Sequence, residues 1–188
     1  MRIPLLIVFA LFLSSSTTGL FAQCKEIEKN FSDESYGEPV LEGVPILFPD
    51  IKLKITKRNT SEIMPLQEVI LHYAWRHFFV SPKHDIYGKW TESQDVIECA
   101  TNTDGIVRFP EYNLVPRAWY DGHKIQTLFL GKNLPRFHEI IISVENWSYL
   151  ITKDQIKKIR NNKIKEPVEL RSYSSKTFVP PVKVEIIP

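Results

Sequence analysis

The sequence predicts an all-β protein, a β-sandwich of seven or eight short strands with one short helix. Two observations carry this. Apolar and polar side chains alternate in segment after segment, the period of a strand buried on one face. Turn signals separate these segments at short intervals, without the alternating helices that βαβ units need. Composition agrees: 13 Pro against 7 Gly suits strands and loops better than long helices. The 188 residues, 43% of them hydrophobic, allow one domain to bury a core without metal or many disulfides. Lys+Arg number 24 and Asp+Glu 22, for a net charge of +2. That excludes a polybasic nucleic-acid binder as the global design.

The elements follow in order. Residues 23–50 form an acidic arm (Glu26, Glu28, Asp33, Glu34, Glu38, Glu42 and Asp50 against Lys25 and Lys29), with short β segments near Val44–Leu47. The sandwich itself is expected over 51–171. Ile51, Leu53 and Ile55 alternate with Lys52, Lys54 and Thr56, and Arg58–Glu62 is a polar turn. Val69, Leu71, Tyr73 and Trp75 then alternate with Ile70, His72, Ala74 and Arg76, the strongest strand signal in the chain. The first four share a face and are expected in the core, each contributing about 1.5–3 kcal/mol. Ser81–Glu92, with Pro82 and Gly88, reads as a loop. Val96–Thr101 and Ile106–Phe109 flank Asn102-Thr103-Asp104-Gly105, a hairpin signal in which Gly supplies positive φ.

Residues 110–123 read as a Pro- and aromatic-rich connection, followed by strands at Ile125–Leu130 and Glu139–Val144. Thr152 with Gln155 predicts a capping box; Ile156 and Ile159 mark the helix's buried stripe and Asn161-Asn162 its stop. Val168–Leu170 is the next strand. Residues 172–188 are read as a C-terminal extension, in which Val182–Ile187 can add a last strand after Pro180-Pro181.

Residues 1–22 read as a signal peptide. Arg2 supplies the positive end, Ile3–Leu13 the apolar run, and Ala22 the residue before cleavage at Gln23. The run is too short for a bilayer core, which takes about 20 helical residues, and no later run approaches a transmembrane span. The mature chain is therefore expected to be exported: periplasmic, cell-surface or extracellular. It keeps two cysteines, Cys24 and Cys99. In an oxidising compartment they can form one disulfide, closing a loop of about 75 residues worth about 4 kcal/mol. The alternatives are free thiols or a lipid anchor on Cys24, although Gln23 stands where a lipobox has a small residue. No CxxC occurs, so a thioredoxin-like or zinc-ribbon reading has no support.

Three phrases carry a resemblance. Pro65-Leu66-Gln67-Glu68-Val69-Ile70-Leu71 follows a first strand and a turn. Ala100-Thr101-Asn102-Thr103-Asp104-Gly105-Ile106 leads into an apolar strand, and Ile142-Ser143-Val144-Glu145-Asn146-Trp147 ends a late one, without the usual Gly-Tyr. Over residues 50–171 the chain resembles transthyretin-like and carboxypeptidase-regulatory-like domains. That resemblance implies a seven-stranded Greek-key sandwich and a non-catalytic module. One branch of the superfamily, the hydroxyisourate hydrolases, ends in Tyr-Arg-Gly-Ser. This chain ends Val184-Glu185-Ile186-Ile187-Pro188, so that activity is not implied.

The search for chemistry returns little. No P-loop, G-x-G-x-x-G, G-x-S-x-G or HExxH is present, and no cofactor or metal is expected. His72 and His77 fall on opposite faces of a continued strand, and His84 follows in the loop, so the three need not converge. Lys153, Lys157, Lys158, Arg160, Lys163 and Lys165 make the helix region basic, which suits either a solvated face or an anionic partner. Trp90, Trp119 and Tyr120 are the candidate contacts for a partner, because loop-borne aromatics at a sandwich end stack on sugars or anchor proteins. The expected function is an exported, non-catalytic binding or accessory module of the cell envelope. Its partner is a protein or glycan, and a homodimer through edge strands is compatible. The alternative is a small secreted inhibitor or immunity protein that blocks an enzyme. A His-dependent hydrolase comes third.

Overall fold

Alternation decides the architecture. A computed structural model describes residues 24–27, 41–81, 86–118, 134–173 and 179–188. Its strands are β1 (Lys25–Ile27), β2 (Leu41–Glu42), β3 (Ile46–Phe48), β4 (Ile51–Lys57), β5 (Glu68–Ser81), β6 (Ile86–Ala100) and β7 (Ile106–Phe109). Then come β8 (Tyr112–Leu114), β9 (Arg117–Ala118), β10 (Arg136–Val144), β11 (Trp147–Ile151), the helix α1 (Lys153–Arg160), β12 (Val168–Glu169), β13 (Arg171–Ser172) and β14 (Val182–Ile186). One sheet has six strands in the order β1-β6-β5-β10-β11-β13, and the other has four, β12-β14-β4-β7. Two short ribbons, β2-β9 and β3-β8, flank them, and the pairing throughout is antiparallel.

The core lies between the two main sheets. Val69, Leu71, Tyr73 and Trp75 of β5 and Ile140, Ile142 and Val144 of β10 face Ile51, Leu53 and Ile55 of β4 and Val182, Val184 and Ile186 of β14. None of these is more than 2% exposed. The expected burial of the four β5 side chains is thus observed. Phe48 and Phe137 close one flank, with ring centroids 4.9 Å apart.

Several expectations need correction. The main sheets hold more strands than seven or eight, because edge pieces of two or three residues are too short to show alternation. Most of the loop expected at Ser81–Glu92 is strand. β5 runs to Ser81 and β6 starts at Ile86, with Phe78 opposite Trp90 and Phe79 opposite Lys89. Aromatic and β-branched residues extend the ladder. The turn at Asn102–Gly105 forms, but its flanks do not pair as a hairpin: β6 belongs to the large sheet and β7 pairs with β4 in the small one. The strand expected at Val168–Leu170 forms as β12, with Leu170 N–H on the Val184 carbonyl, and the chain then passes to β13 in the large sheet. The strand expected at Ile125–Leu130 lies outside the described residues.

The β6–β7 corner is held by Thr101, which is 1% exposed. Its hydroxyl donates to the Met64 carbonyl (2.6 Å) and accepts from the Gln67 N–H (2.9 Å). The Leu66 N–H donates to the Thr101 carbonyl, and the Thr101 N–H to that of Gln67. Asn102 Oδ1 accepts from the N–H groups of Asp104 and Ile106, the Asx turn that bends the chain. Gly105 then takes φ +68°, and its carbonyl accepts from Ile55 N–H; a Cβ there would sit 2.8 Å from the Ile55 carbonyl. The capping box is present as expected: Gln155 N–H donates to Thr152 Oγ1, and Thr152 N–H to Gln155 Oε1. Asn161 caps the helix C-terminus.

The corner makes a stability prediction. Thr101→Val keeps the shape but leaves a buried N–H and a carbonyl without the hydroxyl, and is expected to cost about 2 kcal/mol in urea denaturation. Thr103→Val, at an exposed position of the same turn, should stay within about 0.5 kcal/mol. Equal effects of the two would remove the clasp from the account.

Candidate functional site

Cys24 and Cys99 are joined in a disulfide. Cys24 immediately precedes β1, and Lys25 pairs with Glu98, so the register brings the two cysteines opposite each other at a Cα–Cα distance of 4.2 Å. Most of the expected aromatic contact region lies outside the described residues. The backbone of Trp90 lies on β6 rather than in a loop, and Trp119 and Tyr120 lie outside the described residues. His84 and His123 lie outside them too. His72 and His77 do point to opposite faces of β5, as their odd spacing requires. Among the described residues no group of three or more His, Cys, Asp or Glu side chains could hold a metal ion. No helix of the described residues is long and apolar enough to cross a membrane.

Three polar constellations are built by the fold. The first is at the inner edge of the large sheet. Asp95 accepts from Tyr112 Oη (2.6 Å) and from the Arg117 guanidinium (2.8 Å). Trp75 Nε1 donates to the Arg117 carbonyl (2.7 Å), the guanidinium lies over the Trp75 ring, and Tyr112 stacks on Tyr73. A charge pair so satisfied is a positioning device: it ties β8 and β9 to β5 and β6. Sequence reading missed it because its members lie in separate segments.

The second is a row across the outer face of the large sheet. His72 Nδ1 bonds Gln94 Oε1 (3.1 Å), His72 Nε2 bonds Ser143 Oγ (3.2 Å), and Ser143 Oγ lies 3.5 Å from Ser148 Oγ. Nucleophile, base and orienter would stand in such a line. Acyl transfer also needs N–H groups aimed at a developing oxyanion. Ser143 sits in β10, which is paired on both sides, by β5 and by β11, so the strand's N–H groups are engaged in the ladders. The row reads as cross-strand bonding that fixes register.

The third is a cleft of about 600 Å³ between the C-terminal end of α1 and the ends of β4, β7 and β14. Lys52 and Arg108 stand directly opposite each other on β4 and β7. Arg108 pairs with Asp50, and Lys52 Nζ reaches the Pro188 carbonyl oxygen at 3.3 Å. From the other side come Arg160, whose guanidinium donates to the Leu47 carbonyl (2.9 Å), and Lys165. Of the basic helix region, only these two line the cleft; Lys157, Lys158 and Lys163 are exposed elsewhere. Lys52 and Arg108 carried no signal in the sequence, since each is an ordinary outward residue of an alternating strand.

Fold and site together define a class: a disulfide-bridged all-β sandwich with a cation-lined cleft at one end. Compared with protein families, curated proteins and solved structures, the chain gives no significant match to any of them.

His77, on the inner face of β5 and 3% exposed, gives this part of the molecule a pH dependence. Burial holds its pKa down from 6.5 to about 4. The folded chain keeps His77 neutral while the unfolded chain protonates it through pH 6.5. Its contribution is therefore full above pH 6.5 and is lost as pH falls towards 4. Denaturation midpoints of wild type and His77→Gln should diverge over that interval, wild type losing more. Parallel midpoints would mean that His77 titrates freely in the fold.

Proposed function

We propose that this chain is an exported, non-catalytic β-sandwich of the transthyretin-like type that works by binding a protein or glycan of the cell envelope. One observation carries the export. Cys24 stands two positions beyond the leader-like residues 1–22, and it is bonded to Cys99. Such bonds persist in oxidising compartments and are rare in the cytosol. A Cys24 held in this bond is also closed to an acyl chain, which favours a soluble mature chain over a lipid-anchored one.

The family reading is supported at the β6–β7 corner. The two phrases that suggest the family, Pro65-Leu66-Gln67 and Thr101 to Gly105, are in contact through three hydrogen bonds centred on Thr101. The binding reading is supported by the state of the polar groups. The Asp95 cluster and the His72 row each bond within the fold, and the cleft is open to a ligand. Trp90, Trp119 and Tyr120 remain the proposed contacts for the larger partner.

The test is the intact mass of the protein from its native host, with and without reductant. A chain that starts at Gln23 and gains the mass of two hydrogens on reduction is expected. A chain that keeps its leader, or one that starts at Cys24 with acyl groups, overturns the reading. Cys99→Ser should lower stability by about 4 kcal/mol, the loop entropy of the bridge. Trp119→Ala should abolish capture of the envelope partner with no change in melting temperature; retained capture would remove the aromatic region from the interface.

A further inference from the structure

We propose that this chain associates with a second copy of itself, an apolar knob at one end of the sandwich entering an apolar groove at the other end of its neighbour. The inference goes beyond the reading of the chain as an exported binding module and does not rest on it.

The knob is built around a leucine that folding does not need. Leu66 takes φ +54°, a left-handed conformation that Gly adopts freely and other side chains resist, and it is 70% exposed. It strains its turn and buries little in return. Ile63 and Pro65, within three residues of it, are exposed as well. The backbone beneath them is pinned: Leu66 N–H donates to the Thr101 carbonyl, and Met64 N–H to that of Ile55. Apolar side chains held out on a fixed turn lose little freedom when they dock. The charge around the knob is acidic. Glu62 is answered by Lys57, whereas Glu68, two positions on, and Asp104, in the turn that follows Thr101, add two exposed carboxylates. Those carboxylates suit a cationic partner surface and not an anionic membrane.

The groove has the opposite character. Val44, Ile46, Pro116, Leu134 and Phe137 make its apolar wall, and its volume is about 540 Å³. Val44 is 75% exposed and Leu134 is exposed beside it, so this wall meets solvent. The two charged residues that line the groove, Arg136 and Lys153, are both cations, the complement of Glu68 and Asp104. Knob and groove cannot meet within one molecule. The knob stands by the start of β5, where Val69 pairs with Val144 at the end of β10. The groove stands at the start of β10, where Arg136 pairs with Arg76. The nine residues of β10 lie between, on the order of 25 Å at the rise of an antiparallel strand. A second copy brings the missing half, through a contact between two unlike surfaces.

The test is sedimentation of the disulfide-bonded mature chain over a range of concentrations. Wild type is expected to associate as concentration rises, and less so at high salt. Leu66→Asn keeps a residue that tolerates the left-handed turn and removes the apolar tip. Val44→Asp puts a carboxylate on an exposed position of the groove. Each should keep the melting temperature and weaken association at least about tenfold. An equimolar mixture of the two should regain a dimer, because the first variant still offers a groove and the second a knob. A wild type that stays monomeric at about 1 mM overturns the proposal. So does wild-type association in either variant alone, as contact through two knobs, two grooves or edge strands would give. A mixture that associates no better than its components overturns it too.

Discussion

A buried hydroxyl, that of Thr101, holds the passage from the large sheet to the small one. Wherever the chain leaves one sheet for the other, its peptide groups pass the rim of the core and must still find partners. At the β6–β7 passage Thr101 supplies them, bonding Met64 and Gln67 with its side chain and Leu66 and Gln67 with its backbone. Gly105 completes the turn in a conformation other residues resist, and its carbonyl takes the N–H of Ile55 in β4. The ends of β4, β5, β6 and β7 are therefore set at one place. From there the inward rows of β4 and β5 face each other as the core.

The parts of the fold that were legible are those whose cause is local. Val69 to Trp75 could be read because each residue's face is decided by its neighbours in sequence, and the capping box because its partners lie three apart. The illegible parts depend on register between distant segments. Asn102–Gly105 announces a turn, but whether its flanks pair or part is decided by β4 and β14, which offer β7 a place in the other sheet. Pro82 and Gly88 suggested a loop, yet β6 passes through Gly88. The site follows the same rule. Two cysteines were visible as a pair, whereas Lys52 opposite Arg108 exists only once β4 and β7 are aligned, and Asp95 with Tyr112 and Arg117 only once β8 and β9 have docked.

Stability and recognition use different parts of the same strands. The inward residues of β4 and β7 are sealed, with Leu53, Val107 and Phe109 at 0% exposed. The outward residues between them, Lys52 and Arg108, gather charge that packing does not require. The disulfide holds the N-terminal strand β1 on the edge of the large sheet, a three-residue strand with little pairing of its own.

The place of β14 has a consequence for how the molecule is made. It lies between β12 and β4, and its side chains Val182, Val184 and Ile186 face the core, yet it is synthesised after every strand it joins. A nascent chain that has reached Ser172 holds both neighbours and nothing to put between them. Its small sheet is two unsealed pieces, β4 with β7 and β12 alone, with apolar faces and open edges. The sandwich is therefore completed only when Val182–Ile186 has left the ribosome, and until then its exposed strands are natural clients for a holding chaperone.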